Sequence, residues 1–132
     1  MDVLVADSDI PALSNIVELI QRWGHHAEKS ETAQDTLEKV EEKQFDLVLV
    51  DMSLPDMTAR DLIGKLKELR PDIGIVTMTG TSTNELEKEI RTLGIVYYMS
   101  KPVSENILKA ILDHISAKKK NALSTGSGAD SF

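Results

Sequence analysis

The chain contains no cysteine. That absence removes disulfides, thiolate nucleophiles and cysteine-ligated metals together. No apolar run approaches the ~20 residues that a membrane-spanning helix needs. The amino-terminal residues Met1-Asp2-Val3-Leu4 enter a strand pattern without the basic segment that opens a secretory signal. A cytoplasmic location is therefore expected, with no membrane partner. Positive charge is also short: 15 Lys and Arg against 22 Asp and Glu leave a net charge of −7. Proteins that grip phosphate backbones carry the opposite sign, so direct nucleic-acid binding is not expected. Histidine is scarce as well. None of His25, His26 and His114 has an acidic or histidine partner at ligand spacing.

With 132 residues, 41% hydrophobic and 28% charged, the chain has the make-up of one globular domain with a single core. Its organising stretch is Asp46-Leu47-Val48-Leu49-Val50-Asp51-Met52-Ser53-Leu54-Pro55. The apolar run is short, rich in branched side chains and free of polar alternation, so it reads as a strand buried on both faces. Such strands belong to parallel sheets covered by helices on both sides. Asp51 then stands at the carboxyl end of the strand, the edge at which open α/β sheets bind ligands.

Val3-Leu4-Val5-Ala6 is a first strand of the same kind, closed by Asp7-Ser8-Asp9. A helix follows on Ile10, Leu13, Val17 and Ile20, with Asp9 as its cap, Pro11 in its first turn and Gly24 at its stop. His25 to Lys29 form a short strand near a sheet edge, and helical spacing returns from about Thr32 to Lys43. After Pro55, the positions Ala59, Leu62, Ile63, Leu66 and Leu69 predict a helix that stops before Pro71. Ile73 to Met78 form a fourth strand ending in Thr79-Gly80. Ser82 with Glu85 has the form of a capping box for a helix to about Leu93. That helix is thinly furnished with Leu86, Ile90 and Leu93, which makes it a candidate for motion. Ile95 to Met99 form a fifth strand before Ser100-Lys101-Pro102, and a last helix from near Ser104 is expected to bury Ile107, Leu108, Ile111 and Ile115. Residues 1–117 thus make one domain. Residues 118–132, a lysine run passing into Gly, Ser and Asp, read as a mobile C-terminal tail or truncated linker. Strands and helices in strict alternation imply a parallel sheet with right-handed crossovers, in one of the doubly wound orders.

The strand ends carry the chemistry. Asp7, Ser8 and Asp9 follow the first strand, Asp51 closes the third, Thr79 follows the fourth and Lys101 the fifth. Clustered carboxylates repel one another and favour a cation such as Mg2+, which takes oxygen ligands and keeps several waters. A hydroxyl and an ammonium facing one point suit the oxygens of a phosphoryl group. Pro102 restricts Lys101 to extended geometry. Taken alone, Thr79 would sooner be a strand-end hydroxyl bonded to its own backbone, and Lys101 a solvated surface lysine. Tyr97 and Tyr98 cannot share one side of a strand, so one of them is core.

With these pieces in place, the chain resembles the receiver domain of two-component response regulators. Leu4-Val5-Ala6-Asp7, Leu49 to Met57, Thr79-Gly80 and Tyr98-Met99-Ser100-Lys101-Pro102 match in order and spacing, over residues 2 to about 117. The resemblance implies a flavodoxin-like α/β fold: a doubly wound five-stranded parallel sheet in the order 2-1-3-4-5. It implies a phosphoacceptor switch, phosphorylated on Asp51 by a histidine kinase or phosphotransfer protein and signalling to a downstream protein or output domain. Such a domain is not an enzyme, though it promotes its own phosphotransfer and dephosphorylation. Mg2+ is the implied cofactor, held by Asp7, Asp51 and the backbone carbonyl of Ser53, with Ser8 or Asp9 as a further candidate. Thr79 and Lys101 would hold the phosphoryl group, Gly80 would leave it accessible, and Tyr98 would turn inward as the threonine moves. Residues 83–117 are the expected output surface and the expected surface of any homodimer. The first motif departs from the family pattern. Ser8 stands where a second acid is usual, so metal affinity should fall, and Ala59 stands where glycine is frequent.

Three rivals follow from the same residues. A degenerate receiver that binds partners without phosphorylation is kept alive by Ser8. Aspartyl-phosphate phosphatases use a strand-end Asp with Mg2+, but they usually place a second Asp two residues on, where this chain has Ser53. A flavodoxin-type cofactor site is weaker still, because the acids of the first loop would repel a phosphate.

Overall fold

Among the residues described by the computed structural model, 1–81 and 83–128 with side chains to Lys119, five strands pair in parallel. They are β1 (Asp2–Ala6), β2 (His26–Ser30), β3 (Leu47–Asp51), β4 (Gly74–Thr79) and β5 (Tyr97–Ser100). Each leads into a helix: α1 (Ile10–Arg22), α2 (Ala33–Glu42), α3 (Ala59–Leu69), α4 (Asn84–Arg91) and α5 (Glu105–Gly128). The sheet order is β2-β1-β3-β4-β5, the doubly wound order that the family resemblance implies.

The two-faced burial of β3 organises the layers. Leu47 and Leu49 pack with α1 and α5, through Leu13, Ile16, Ile20, Leu108 and Leu112. Val48 and Val50 face the other way, onto Ala33 and Val40 of α2, Leu62, Ile63 and Leu66 of α3, and Ile90 of α4. Successive side chains of a strand point to opposite faces, so a strand covered on both sides has no position left for a polar residue until Asp51. Parallel register aligns the strand ends, pairing Ala6 with Val50, Asp51 with Met78 and Thr79 with Ser100.

Local chemistry sets the helix starts. Asp9 accepts the Ala12 N–H at the head of α1, Thr32 that of Asp35 in α2, and Thr58 that of Asp61 in α3. The left-handed φ of Gly24, +93°, lets the chain turn out of α1 into β2.

The structure departs from the sequence reading in two places. The cap of α4 is Thr83, whose hydroxyl accepts the Leu86 N–H at 3.1 Å, and Ser82 lies outside the described residues. On α5 the inward face is Leu108, Ile111 and Leu112, while Ile107 is 42% exposed. The three-and-four spacing admits either set, and the position of the sheet selects the one centred on Leu108. The helix α5 runs on to Gly128, into the segment read as a tail. Ala117, the lysines 118–120, Ala122 and Leu123 are strong helix formers with no proline among them, and the Lys119 ammonium donates to the Asp46 carboxylate. The rest of that tail, 129–132, lies outside the described residues.

Candidate functional site

The carboxyl ends of β1, β3 and β5 bring two carboxylates and an ammonium into contact. Asp7 is fully buried and Asp51 is 4% exposed. Lys101 donates to Asp7 Oδ2 at 2.7 Å and to Asp51 Oδ2 at 3.4 Å. The backbone places each side chain. The Asp7 N–H donates to the Ser30 carbonyl, and the Lys101 N–H donates to the Thr79 carbonyl at 2.7 Å. The other oxygens of the two acids are tied to their own loops: Asp7 Oδ1 accepts the Asp9 N–H at 2.9 Å, and Asp51 Oδ1 accepts the Ser53 N–H at 3.0 Å.

Two buried carboxylates share one cation, and their proton affinities separate accordingly. Burial, followed by the adjacent Asp7, raises the pKa of Asp51 above the ordinary carboxylate value of 3.8. Burial also works to raise that of Asp7, but its contacts with Asp51, Lys101 and the Asp9 N–H outweigh it and lower the pKa. Burial opposes the charge of Lys101, and the two carboxylates more than restore it, so its pKa is raised. With both carboxylates ionised, the corner holds two negative charges and one positive. That excess, presented by oxygen donors, suits a divalent cation such as Mg2+. Among the described residues no third acidic or histidine side chain joins them.

The remaining sequence candidates stand close by in different engagements. Thr79 is 3% exposed, and its hydroxyl donates to the Thr81 carbonyl at 2.7 Å and accepts the Thr81 N–H at 3.2 Å. It is thus bonded to its own loop and not to Asp51. Gly80 is exposed, and a Cβ there would meet no atom within 4 Å. Ser8 is exposed, while Asp9 caps α1. Tyr98 is the buried member of the tyrosine pair and Tyr97 the exposed one. The Arg91 guanidinium of α4 lies 5.8 Å from the centre of the Tyr98 ring, a cation–π distance.

Three further contacts escape a sequence reading. Asp56, just beyond the Asp51 loop, accepts the N–H groups of Ala33 at 2.8 Å and Gln34 at 2.9 Å, which pins that loop to the head of α2. Arg60 of α3 pairs with Glu89 of α4 at 2.7 Å. A groove of about 620 Å³ opens between these helices, with Met52, Met57, Leu86 and Ile90 on its walls and Ser53 and Thr79 at its edge. The partners are 22 to 29 residues apart in the chain, beyond any local spacing rule.

The family model of the response regulator receiver domain matches residues 3–113. The chain belongs to that family: it is a receiver domain of the response regulators of two-component systems. It is 32% identical over 113 residues to the transcriptional regulatory protein ZraR of Escherichia coli, an alignment covering 86% of this chain and 26% of the relative. It is 28% identical to the DNA-binding transcriptional regulator NtrC of Azospirillum brasilense, covering 84% of this chain and 23% of the relative. The chain thus spans about a quarter of the length of these relatives. Among solved structures, a CheY-like receiver domain protein from Methanospirillum hungatei superposes with a TM-score of 0.83 at 29% identity, covering 91% of this chain and 97% of the other. A beryllofluoride-activated DrrB receiver domain superposes with a TM-score of 0.80 at 27% identity, covering 88% and 97%. Receiver domains are signalling modules, not enzymes acting on an external substrate. No helix among the described residues is long and apolar enough to cross a membrane.

Proposed function

We propose that Asp51 accepts a phosphoryl group from a phosphohistidine on a histidine kinase or phosphotransfer protein. The observation that carries this reading is the Lys101 ammonium held between Asp7 and Asp51 at the end of the strand whose neighbour ends in Thr79. A carboxylate oxygen of Asp51 forms the new P–O bond as the donor's P–N bond breaks and the imidazole leaves. Lys101 turns from Asp7 to the phosphoryl oxygens, and the Thr79 hydroxyl exchanges its bonds to Thr81 for one to the same group. Mg2+, when bound, neutralises the phosphoryl oxygens. Asp7, Asp51 and the Ser53 carbonyl would hold it, with water or the Ser8 hydroxyl in the remaining positions.

The product carries about 1.5 to 2 negative charges in place of the single charge of Asp51, at a site already anionic. The loops carrying Thr79 and Lys101 move to meet it, and α4 is the element with least to hold it, since Ile90 is its one buried residue among those described. The output surface is α4, β5 and the first turns of α5, where Val96, Tyr97 and Ile107 are exposed. A downstream protein, an output domain or a second copy through residues 83–117 would read it there, in the cytoplasm. The phosphohistidine donor approaches the opposite rim, beside the exposed Ile10 that opens α1.

The test is incubation with acetyl phosphate and Mg2+ followed by intact-mass measurement. One added phosphoryl group, absent in Asp51→Asn, is expected, and no gain or a gain that survives the substitution refutes the reading. A phosphorylation-independent binding module is the second reading, favoured by Ser8 in the metal loop and by the commitment of Asp9 to α1. Mg2+ titration followed by NMR separates the two: saturation only far above ~10 mM, beyond the weak end of natural divalent sites, favours the module.

A further inference from the structure

Thr77 of β4 is fully buried, and its hydroxyl has no hydrogen-bond partner among the described residues. The strand around it is covered on both faces, where an apolar side chain is the ordinary occupant. Alternation along β4 puts Thr77 on the same face as Ile75 and Thr79, beneath α3 and α4. Across the sheet it stands beside Val50, the residue before Asp51, and beside Tyr98 of β5. The stranded hydroxyl is therefore flanked by the phosphoacceptor strand and the switch aromatic, two residues below the switch threonine.

A buried hydroxyl without a partner raises the free energy of the arrangement that strands it, by an amount worth roughly five- to a hundredfold in an equilibrium. That arrangement is the one in which Thr79 is bonded to Thr81 and Arg91 covers Tyr98. It is closed over by α4, which has a single buried anchor among its described residues, Ile90. We propose that Thr77 is a positioning residue of the switch: its unmet hydrogen bond disfavours the closed arrangement, and is met when α4 shifts and water reaches that face. Thr77 then acts through Thr79 and Tyr98, without touching the phosphoryl group. The inference rests on the phosphoacceptor reading above.

The experiment compares wild type, Thr77→Val and Thr77→Ser by thermal melting and by fluorine NMR titration with beryllofluoride in the presence of Mg2+. Valine keeps the shape and removes the stranded hydroxyl, so Thr77→Val melts higher than wild type and binds beryllofluoride about tenfold more weakly. Serine keeps the hydroxyl and loses a methyl group, so Thr77→Ser melts lower yet regains beryllofluoride affinity close to that of wild type. A role in packing alone moves the melting temperature of both variants and leaves the titration unchanged. If wild type binds beryllofluoride and Thr77→Val binds it equally well, or melts no higher, the inference is overturned. If wild type itself fails to bind, the phosphoacceptor reading falls first and takes this one with it.

Discussion

Replacing Lys101 with methionine probes the charge arrangement directly. The side chain keeps much of its length and loses the only cation that touches Asp7 and Asp51 among the described residues. At an effective dielectric of about 20, contacts of 2.7 and 3.4 Å correspond to gross attractions of about 6 and 5 kcal/mol. Desolvation of a side chain only 19% exposed cancels a large part of that sum. Removing one partner of a buried ion pair costs about 3–5 kcal/mol, and that is the expected loss at about pH 7. It is a large share of the ~5–15 kcal/mol by which a domain is stable. The pH dependence supplies the sharper signature. In the wild type, the lowered pKa of Asp7 contributes stability that is present above 3.8 and lost as pH falls through its folded value. The raised pKa of Asp51 has the opposite sense: its contribution is present below 3.8 and lost as pH rises through its folded value. Without the ammonium, burial and mutual repulsion raise both. Lys101→Met should therefore be more stable near pH 5 than near pH 7, with added Mg2+ recovering stability at the higher pH. Urea unfolding across that range reads both effects. A variant with wild-type stability at neutral pH and no loss on raising the pH would refute the shared-cation account of the site.

Asp51→Asn should melt above the wild type at neutral pH, because the raised pKa marks an ionised form less stable folded than unfolded; calorimetry checks the sign. Ser8→Asp adds a charge to the metal loop and should tighten Mg2+ binding on the order of tenfold, read by NMR titration of the surrounding amides. Asp56→Ala should speed hydrogen exchange at the Ala33 and Gln34 amides, which it caps from across the fold. Those two hydrogen bonds also hold the Asp56 pKa below 3.8, so in the wild type the same protection should fade as pH drops beneath that value.

The strand ends were legible in the sequence because a strand buried on both faces tolerates no polar residue until it leaves the sheet. Asp7 and Asp51 stand at that boundary, and parallel register brings their ends together with those of β4 and β5. Two adjacent tyrosines on a strand likewise had to divide, and burial assigns the core role to Tyr98. Helix faces were less legible where two spacings compete, as with Ile107 and Leu112 on α5. The contacts of Asp56 with α2, Arg60 with Glu89 and Arg91 with Tyr98 had no local signal at all. They exist because the sheet carries distant segments side by side, so they follow from the topology and not from any periodicity.

Charge counting at the corner gives Ser8 an expected consequence beyond the weaker metal binding proposed for it. Asp7 and Asp51 with Lys101 sum to one negative charge in excess. Under the proposed mechanism, Mg2+ and a phosphoryl group of about two negative charges in place of the Asp51 charge bring the corner close to neutrality. A second acid at position 8 would leave that phosphorylated, metal-bound corner negative by one further charge. On that mechanism Ser8 would weaken the attraction for the cation before transfer and remove a repulsion on the phosphoryl group after it. In a pocket that excludes water from Asp7 and Asp51, where charges are weakly screened, the two effects act on different steps. Under that mechanism, the serine would disfavour loading of the metal and stabilise the phosphorylated product once formed.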